Sequence, residues 1–437
     1  MKTKTLLGFK QSEIGLVPEN WEVKSVKHFC LDITSGGTPS RNNIENWDGG
    51  KIPWLKTQEL NDGNIYNTDE RITEQGLNSS SAKLLPIDTV LMAMYGATVG
   101  KLGILKIQAT TNQAFCAMVV NPKIADHRFL FYSLLQNRDK LINLASGAAQ
   151  QNLNLYNIKE FLLPFPKLSE QKAIAKILSD LDAKIELNQK MNKTLEAIAQ
   201  AIFKRWFIDF EFPDENGQPY KSSGGEMVDS ELGEIPKGWD VKPLGYVLSL
   251  LKDGTHLPPK RVNKGFKFIA GATDIKHFSV DFSKCTYITE DEYLKIHKKW
   301  NIRPDDILLT IVGTLGNVAI VRERDLPFSM QRSIALLRVN EKIPYSYLYF
   351  FLNSYFFKVE LQKRINPTAQ PGIYLTELSK IKIIVPNKRI VDLFHSVAQS
   401  FIKFMQSRID NSDILTDLRD TLLPKLISGR IRVPLEE

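Results

Sequence analysis

An α+β fold of two tandem globular units, each followed by a long helix, is what this sequence predicts. The two helices are expected to form an antiparallel coiled coil with pseudo-two-fold symmetry. Three observations carry that expectation. A thirteen-residue phrase, Ser12-Glu13-Ile14-Gly15-Leu16-Val17-Pro18-Glu19-Asn20-Trp21-Glu22-Val23-Lys24, returns 218 positions later as Ser230 to Lys242, with Trp239 in the place of Trp21. Long-period self-similarity of this kind marks a duplicated module. Within each half, short apolar runs broken by Gly, Asn and Pro read as strands. Each half then closes on a long stretch of heptad character.

The first unit spans 1–166. Lys51 to Leu55, Thr89 to Tyr95 and Ala114 to Val120 are its clearest strand candidates, and Leu130, Leu134, Leu135, Leu141 and Ile142 place a helix near 129–144. The first spacer helix is expected over 167–209. It opens at Ser169-Glu170-Gln171 and runs to about Phe207 without Pro or Gly. Numbered from Ile174, its a positions are Ile174, Leu181, Asn188, Leu195 and Ile202. Its d positions are Ile177, Lys184, Met191, Ile198 and Arg205. An acidic linker, 210–229, carries Pro213, Pro219 and Ser222-Ser223-Gly224-Gly225.

The second unit, 230–386, repeats the order. Asp305-Asp306 before Ile307-Leu308-Leu309 answers Asp88 before Val90-Leu91, Gln331 answers Gln113, and Tyr347 to Phe357 is the counterpart helix. The second spacer helix is expected over 387–433. Its a positions are Phe394, Phe401, Arg408, Leu415 and Leu422, and its d positions are Val397, Phe404, Asn411, Leu418 and Lys425. In an antiparallel pair the two centres meet, so Asn188 and Arg408 should lie at similar height, where they either fix the register or face solvent or a partner subunit.

Composition is that of an ordinary globular protein, 43% hydrophobic and 24% charged, with a net charge of +8. From Trp206 to Pro236 eight acids face one base, Lys221, which leaves the rest of the chain more basic than the total suggests. A basic body suits a polyanion, because cations that neutralise phosphates release counterions. Cys30, Cys116 and Cys285 are an odd, scattered set without a Cys-x-x-Cys pair, which predicts a reducing, cytoplasmic setting. No apolar run approaches a membrane span.

Catalytic signals are missing. Gly96-Ala97-Thr98-Val99-Gly100-Lys101-Leu102 is one residue short of a phosphate loop and has Leu102 where a Mg²⁺-binding hydroxyl belongs, so it reads as a turn. The six histidines show no metal-ligand spacing, and no dinucleotide fingerprint is present. The expectation is no catalytic residue, no metal and no cofactor in this chain.

What the loops do hold are groups that read base edges and grip phosphates. In the first unit these are Thr38, Ser40, Arg41, Lys56, Gln58, Tyr95, Thr98, Lys101, Gln150, Gln151 and Asn152; in the second, His256, Lys260, Arg261, Thr314, Asn317, Gln331, Arg332 and Gln370. Any one of them fits an ordinary solvated loop as well. Two parallel sets on a repeated scaffold favour nucleic acid.

Here the chain resembles the specificity (S) subunit of type I restriction–modification systems. The likeness rests on the doubled openings, on Gly36-Gly37-Thr38-Pro39-Ser40 with Ile52-Pro53-Trp54, and on Asp253-Gly254-Thr255-His256. Its most telling part is the helix exit Trp206-Phe207-Ile208-Asp209-Phe210-Glu211-Phe212, followed by Ser222-Ser223-Gly224-Gly225-Glu226-Met227. The resemblance implies a non-catalytic subunit with two target-recognition domains, each reading half of a split double-stranded DNA site. It implies helices that act as a ruler and dock two modification (methyltransferase) subunits. It also implies restriction (translocase/nuclease) subunits, with S-adenosylmethionine, ATP and Mg²⁺ bound in those partners. The separate specificity subunit of a bifunctional type II enzyme shares this plan, and neighbouring genes distinguish the two.

Overall fold

The computed structural model describes residues 8–144, 152–276, 278–366 and 371–434. Gln150, Gln151 and Gln370 lie outside the described residues. The chain divides into two compact units, Met1–Asn188 with Asp410–Glu437, and Gln189–Ile409. Each is mixed helix and sheet.

Unit 1 is built on a five-stranded sheet in the order Cys30–Thr34, Phe115–Val120, Val90–Ala93, Leu102–Leu105, Gly63–Ile65. The inner pairs are antiparallel, with Leu91 opposite Ala117 and Val90 opposite Ile104. Val90 to Ala93 and Leu102 to Leu105 are buried throughout, which is why these runs read as near-continuous apolar stretches. A second sheet sets Ile52–Leu55 between Thr110–Thr111, parallel to it, and Glu70–Ile72, antiparallel. The helix expected near 129–144 is two helices, His127–Gln136 and Arg138–Asn143, broken at Asn137. Asp126 caps the first by accepting from the backbone N–H of Arg128 and Phe129.

Unit 2 repeats this plan. Its four-stranded sheet runs Leu248–Asp253, Ile334–Val339, Ile307–Thr310, Val318–Ile320. In its second sheet, also four-stranded, Phe266–Ile269 lies between Thr286–Ile288, antiparallel, and Phe328–Met330, parallel, with Arg261–Val262 on the far side of Thr286–Ile288. The counterpart helix is again split, into Tyr345–Leu352 and Tyr355–Gln362, with Ser354 capping the second. A closing strand pairs with the opening strand in both units, Leu162–Phe165 with Glu22–Ser25 and Lys382–Val385 with Asp240–Pro243.

The long helices run Leu168–Phe207 and Lys388–Ile427, and each contributes to both units. In unit 1, Ile174, Ala175 and Leu178 of the first helix join Leu423, Leu426 and Ile427 of the second in a core around Trp21, Phe29 and Phe129. In unit 2, Ala199, Phe203 and Phe207 join Ile390, Phe394, Ala398, Ile402 and Met405 around Tyr347 and Phe350. The a positions face inward. Ile174, Asn188 and Phe394 are buried, and Leu181, Leu195, Ile202, Phe401, Arg408, Leu415 and Leu422 are half-buried.

The second stripe is corrected by one residue. Ile177, Ile198, Phe404 and Leu418, expected at d, are exposed, Phe404 by 58%. The inward positions lie four rather than three after each a, at Leu178, Ile185, Asn192, Ala199 and Trp206, and at Ala398, Met405, Ser412, Arg419 and Leu426. Four residues advance a helix about 40° past a full turn and three fall about 60° short, so +4 lies nearer the a stripe.

The polar centre of unit 1 is a hydrogen-bonded cluster. Asn188, 3% exposed, donates to Asn411 Oδ1 at 3.0 Å and to Ser412 Oγ at 3.2 Å. Asn192 donates to the Met405 carbonyl at 3.1 Å within unit 2. Near the end of the helices in unit 1, Asp182 accepts from both Arg419 (2.7 Å) and Tyr132.

The acidic stretch folds against unit 2. Phe212 stacks between Tyr220 (4.6 Å) and Trp239 (4.8 Å), and Phe210 meets the same indole edge-on. Among the described residues no helix is long and apolar enough to cross a membrane.

Candidate nucleic-acid interface

In both units the first polar loop is pressed against a strand by a glycine. A Cβ at Gly36 would stand 2.0 Å from the Thr111 carbonyl oxygen, and one at Gly254 would stand 2.1 Å from that of Met330. Backbone therefore meets backbone, and only glycine fits. The Gly37 N–H donates to Thr111 O, and the Thr255 N–H donates to Met330 O.

Around this seat unit 1 gathers several expected residues. Thr38 donates to the Gln113 side chain at 2.7 Å, and the Tyr95 hydroxyl donates to the Gln113 carbonyl at 2.7 Å. Burial pushes the Tyr95 phenol up from its ordinary range. Ser40 is occupied locally, its carbonyl accepting from Asn46 and the Trp47 indole. Arg41 and Lys56 converge on one carboxylate, Glu70. The hydrogen bond from Arg41 holds that carboxyl below its usual range, opposed by partial burial and aided by Lys56. Gln58 is exposed on the adjoining turn. Thr98 lies on the Gly96–Thr98 turn, and Lys101 reaches the Leu60 carbonyl at 3.4 Å. Gly96 and Gly100 both have positive φ, so the phosphate-loop-like stretch is a turn. Asn152 is exposed after a segment outside the described residues.

Unit 2 arranges its set differently. His256 pairs with Asp253 at 2.6 Å, and Lys260 is exposed. Arg261 donates to Thr286 Oγ1 at 2.7 Å and lies over the Phe268 ring, 4.0 Å from its centroid. Burial lowers the Arg261 guanidinium from its usual value. Thr314 and Arg332 are exposed. Gln331 bridges Thr255 through the backbone, and Arg332 N–H donates to Thr255 O. Asn317 is tied inward, donating to the Ile275 carbonyl at 3.2 Å.

Trp47, Trp54, Glu70 and Gln113 were missed from the sequence. Their roles come from long-range contacts with Thr38 and Arg41. The available signals were the Gln113/Gln331 repeat and the Ile52-Pro53-Trp54 run. Among the described residues no group of three or more His, Cys, Asp or Glu is placed to hold a metal ion.

A framework kept in duplicate, carrying loops most of whose polar side chains differ, defines a protein with two recognition heads. The type I restriction modification DNA specificity domain matches residues 18–197 and 236–412. The chain belongs to that family and carries the domain twice. Among its relatives is the type I restriction enzyme MjaIX specificity subunit of Methanocaldococcus jannaschii, 30% identical over 97% of this chain and 96% of that one. The MjaVIII specificity subunit of the same organism is 26% identical over 97% and 96% of the two chains. The solved S subunit of the M. genitalium type I restriction-modification system shares the fold, at a TM-score of 0.53 and 19% identity, over 96% of this chain and 97% of that one. The resemblance seen in the helix exit and the doubled openings is thus the family itself.

Proposed function

We propose that each unit reads one half of a bipartite double-stranded DNA target for a type I restriction–modification complex. The two long helices pair as an antiparallel coiled coil, set the unread spacer and dock two modification (methyltransferase) subunits. Restriction (translocase/nuclease) subunits complete the assembly. The chain is a recognition subunit without chemistry of its own. S-adenosylmethionine, ATP and Mg²⁺ belong to the partners.

The observation that supports this reading most is the conserved framework with divergent loops. One scaffold in two copies presents Thr38, Ser40 and Arg41 on the first polar loop of one unit and His256 and Lys260 on that of the other. Different side chains on equivalent loops read different base sequences. The inward a positions and the Asn188–Asn411 bond support the helix pairing. A 40-residue helix is about 60 Å long, enough to act as a ruler. The relatives carry type I names, which favours that reading over a bifunctional type II partner.

Sequencing modified bases in DNA from cells that express this chain with its methyltransferase tests the proposal. A split methylated motif with a fixed unread spacer is expected. Inserting four residues into a long helix should lengthen that spacer and leave both half-sites unchanged. A contiguous motif, or a spacer indifferent to the insertion, overturns it.

A further inference from the structure

Two arginines that share no sequence register occupy the same place in the second sheets of the two units. In unit 1 Trp54 stands opposite Glu70 on the antiparallel side and beside Thr110 on the parallel side. In unit 2 Phe268 stands opposite Thr286 and beside Ser329 in the same way. Topology therefore makes Trp54 equivalent to Phe268, and Glu70 equivalent to Thr286. The Arg41 guanidinium carbon lies 5.1 Å from the Trp54 ring centroid and 3.6 Å from that of Trp47, and its Nη1 donates to Glu70. The Arg261 guanidinium carbon lies 4.0 Å from the Phe268 centroid, and its Nη1 donates to Thr286. Arg41 arrives on the loop after Gly36-Gly37-Thr38, whereas Arg261 sits on the short strand Arg261–Val262. The chain reaches one placement by two routes, so the placement is not a by-product of the duplicated backbone.

A guanidinium laid on an aromatic ring and tied at one edge has lost its rotamer freedom before any ligand arrives. Among the described residues its remaining N–H groups have no protein partner in either unit, and both arginines are exposed. What such a fixed plane presents is a pair of parallel N–H donors. A phosphate also accepts such a fork, but that contact carries no base preference, and the measurements below separate the two. Guanine, with O6 and N7 in line on its major-groove edge, is the base that matches two parallel donors.

We infer that Arg41 and Arg261 are buttressed guanine readers, one in each unit, held in plane by Trp47, Trp54 and Glu70 and by Phe268 and Thr286. The inference rests on the DNA-recognition reading above. It requires that each half-site contain a G·C pair.

The test uses the complex of this chain with its methyltransferase and the split target found by modified-base sequencing. Each guanine is replaced in turn by 7-deazaguanine, which removes the N7 acceptor, and binding is measured by competition. In the wild-type complex one position per half-site should lose about 2- to 12-fold in affinity, half in free energy of the about 5- to 150-fold that a whole bidentate pair is worth. Arg41→Lys should reduce that sensitivity in one half-site only, and Arg261→Lys in the other only, because lysine keeps the charge but not the fixed planar fork. Glu70→Gln and Thr286→Val should each weaken discrimination in the matching half-site. Thermal melts confirm that the variants fold.

Unchanged sensitivity in both lysine variants overturns the inference, as does a half-site without a G·C pair. So does an alanine variant that weakens binding equally for all sequences while lowering the salt slope by about one, which marks a phosphate contact. A wild-type complex without any split preference removes the recognition reading itself, and this inference with it.

Discussion

Replacing Glu170 by Ala should destabilise unit 1 by about 2 kcal/mol, a value built from two contacts. Glu170 is 2% exposed at the start of the first long helix. Its Oε2 accepts from the Trp21 indole at 2.9 Å, and its Oε1 accepts from Arg432 Nε at 2.9 Å. Trp21 is fully buried, so removing its acceptor leaves an orphaned indole N–H, which costs about 1–3 kcal/mol. Arg432 is half exposed, and its screened pair adds about 0–1 kcal/mol. Units of this size shift their melting temperature by about 2–4 °C per kcal/mol, so the variant should melt about 4–8 °C lower. Glu170→Gln keeps an acceptor and should fall in between. Unit 2 supplies the control, because among the described residues the buried Nε1 of Trp239 has no hydrogen-bond partner, and the ring is covered by Phe212 instead. Trp21→Phe should therefore cost more than Trp239→Phe in scanning calorimetry. Equal costs, or a Glu170→Ala melt within about 1 °C of the wild type where this size scaling predicts several degrees, would refute the reasoning.

Gly36→Ala and Gly254→Ala should each lower stability by about 1–3 kcal/mol in urea melts, because each Cβ meets a carbonyl oxygen at close to 2 Å. Gly63→Ala, whose nearest neighbour is 3.4 Å away, should cost less than either. A pH dependence follows from His127 in unit 1 and His395 in unit 2. Burial holds both imidazoles below their ordinary range, against the pull of Asp88 and Asp305. The folded state therefore binds these protons less readily than the unfolded chain. Stability should be full above the unfolded value of about 6.5 and decline as pH falls towards the lower folded values. His127→Asn and His395→Asn should flatten that slope when urea midpoints are compared across the window.

The duplicated framework was legible because equivalent residues keep one offset. Trp21 and Trp239, Gly36 and Gly254, and Gln113 and Gln331 all stand 218 apart. Val90 to Ala93 and Ile307 to Thr310 were legible as strands because both faces are buried and every residue is apolar or Thr. The second stripe of the helices was not, because the +3 and +4 positions are almost equally apolar. Ile177 and Ile198 look as fit for a seam as Leu178 and Ala199. Only packing against Phe129 on one side and Tyr347 on the other decides between them. The acidic stretch reads as a connector from Pro, Gly and Ser, and the stacking of Phe212 between Tyr220 and Trp239 has no local signature. The arginine perches were legible only as lone basic residues. Their meaning depends on cross-strand partners, Glu70 and Thr286, whose pairing no local pattern announces.

The covering of the two opening tryptophans bears on the order in which the protein matures. Unit 2 is a continuous stretch, Gln189–Ile409, and Phe212 is already present when Trp239 leaves the ribosome. Unit 1 is interrupted, and the Arg432 that closes over Trp21 is separated from Glu170 by 262 positions. A nascent chain thus holds everything its later half needs well before its earlier half can be sealed. Translation and maturation run in opposite directions here, and a ribosome stalled past residue 410 should release a protease-resistant second half beside a still-cleavable first.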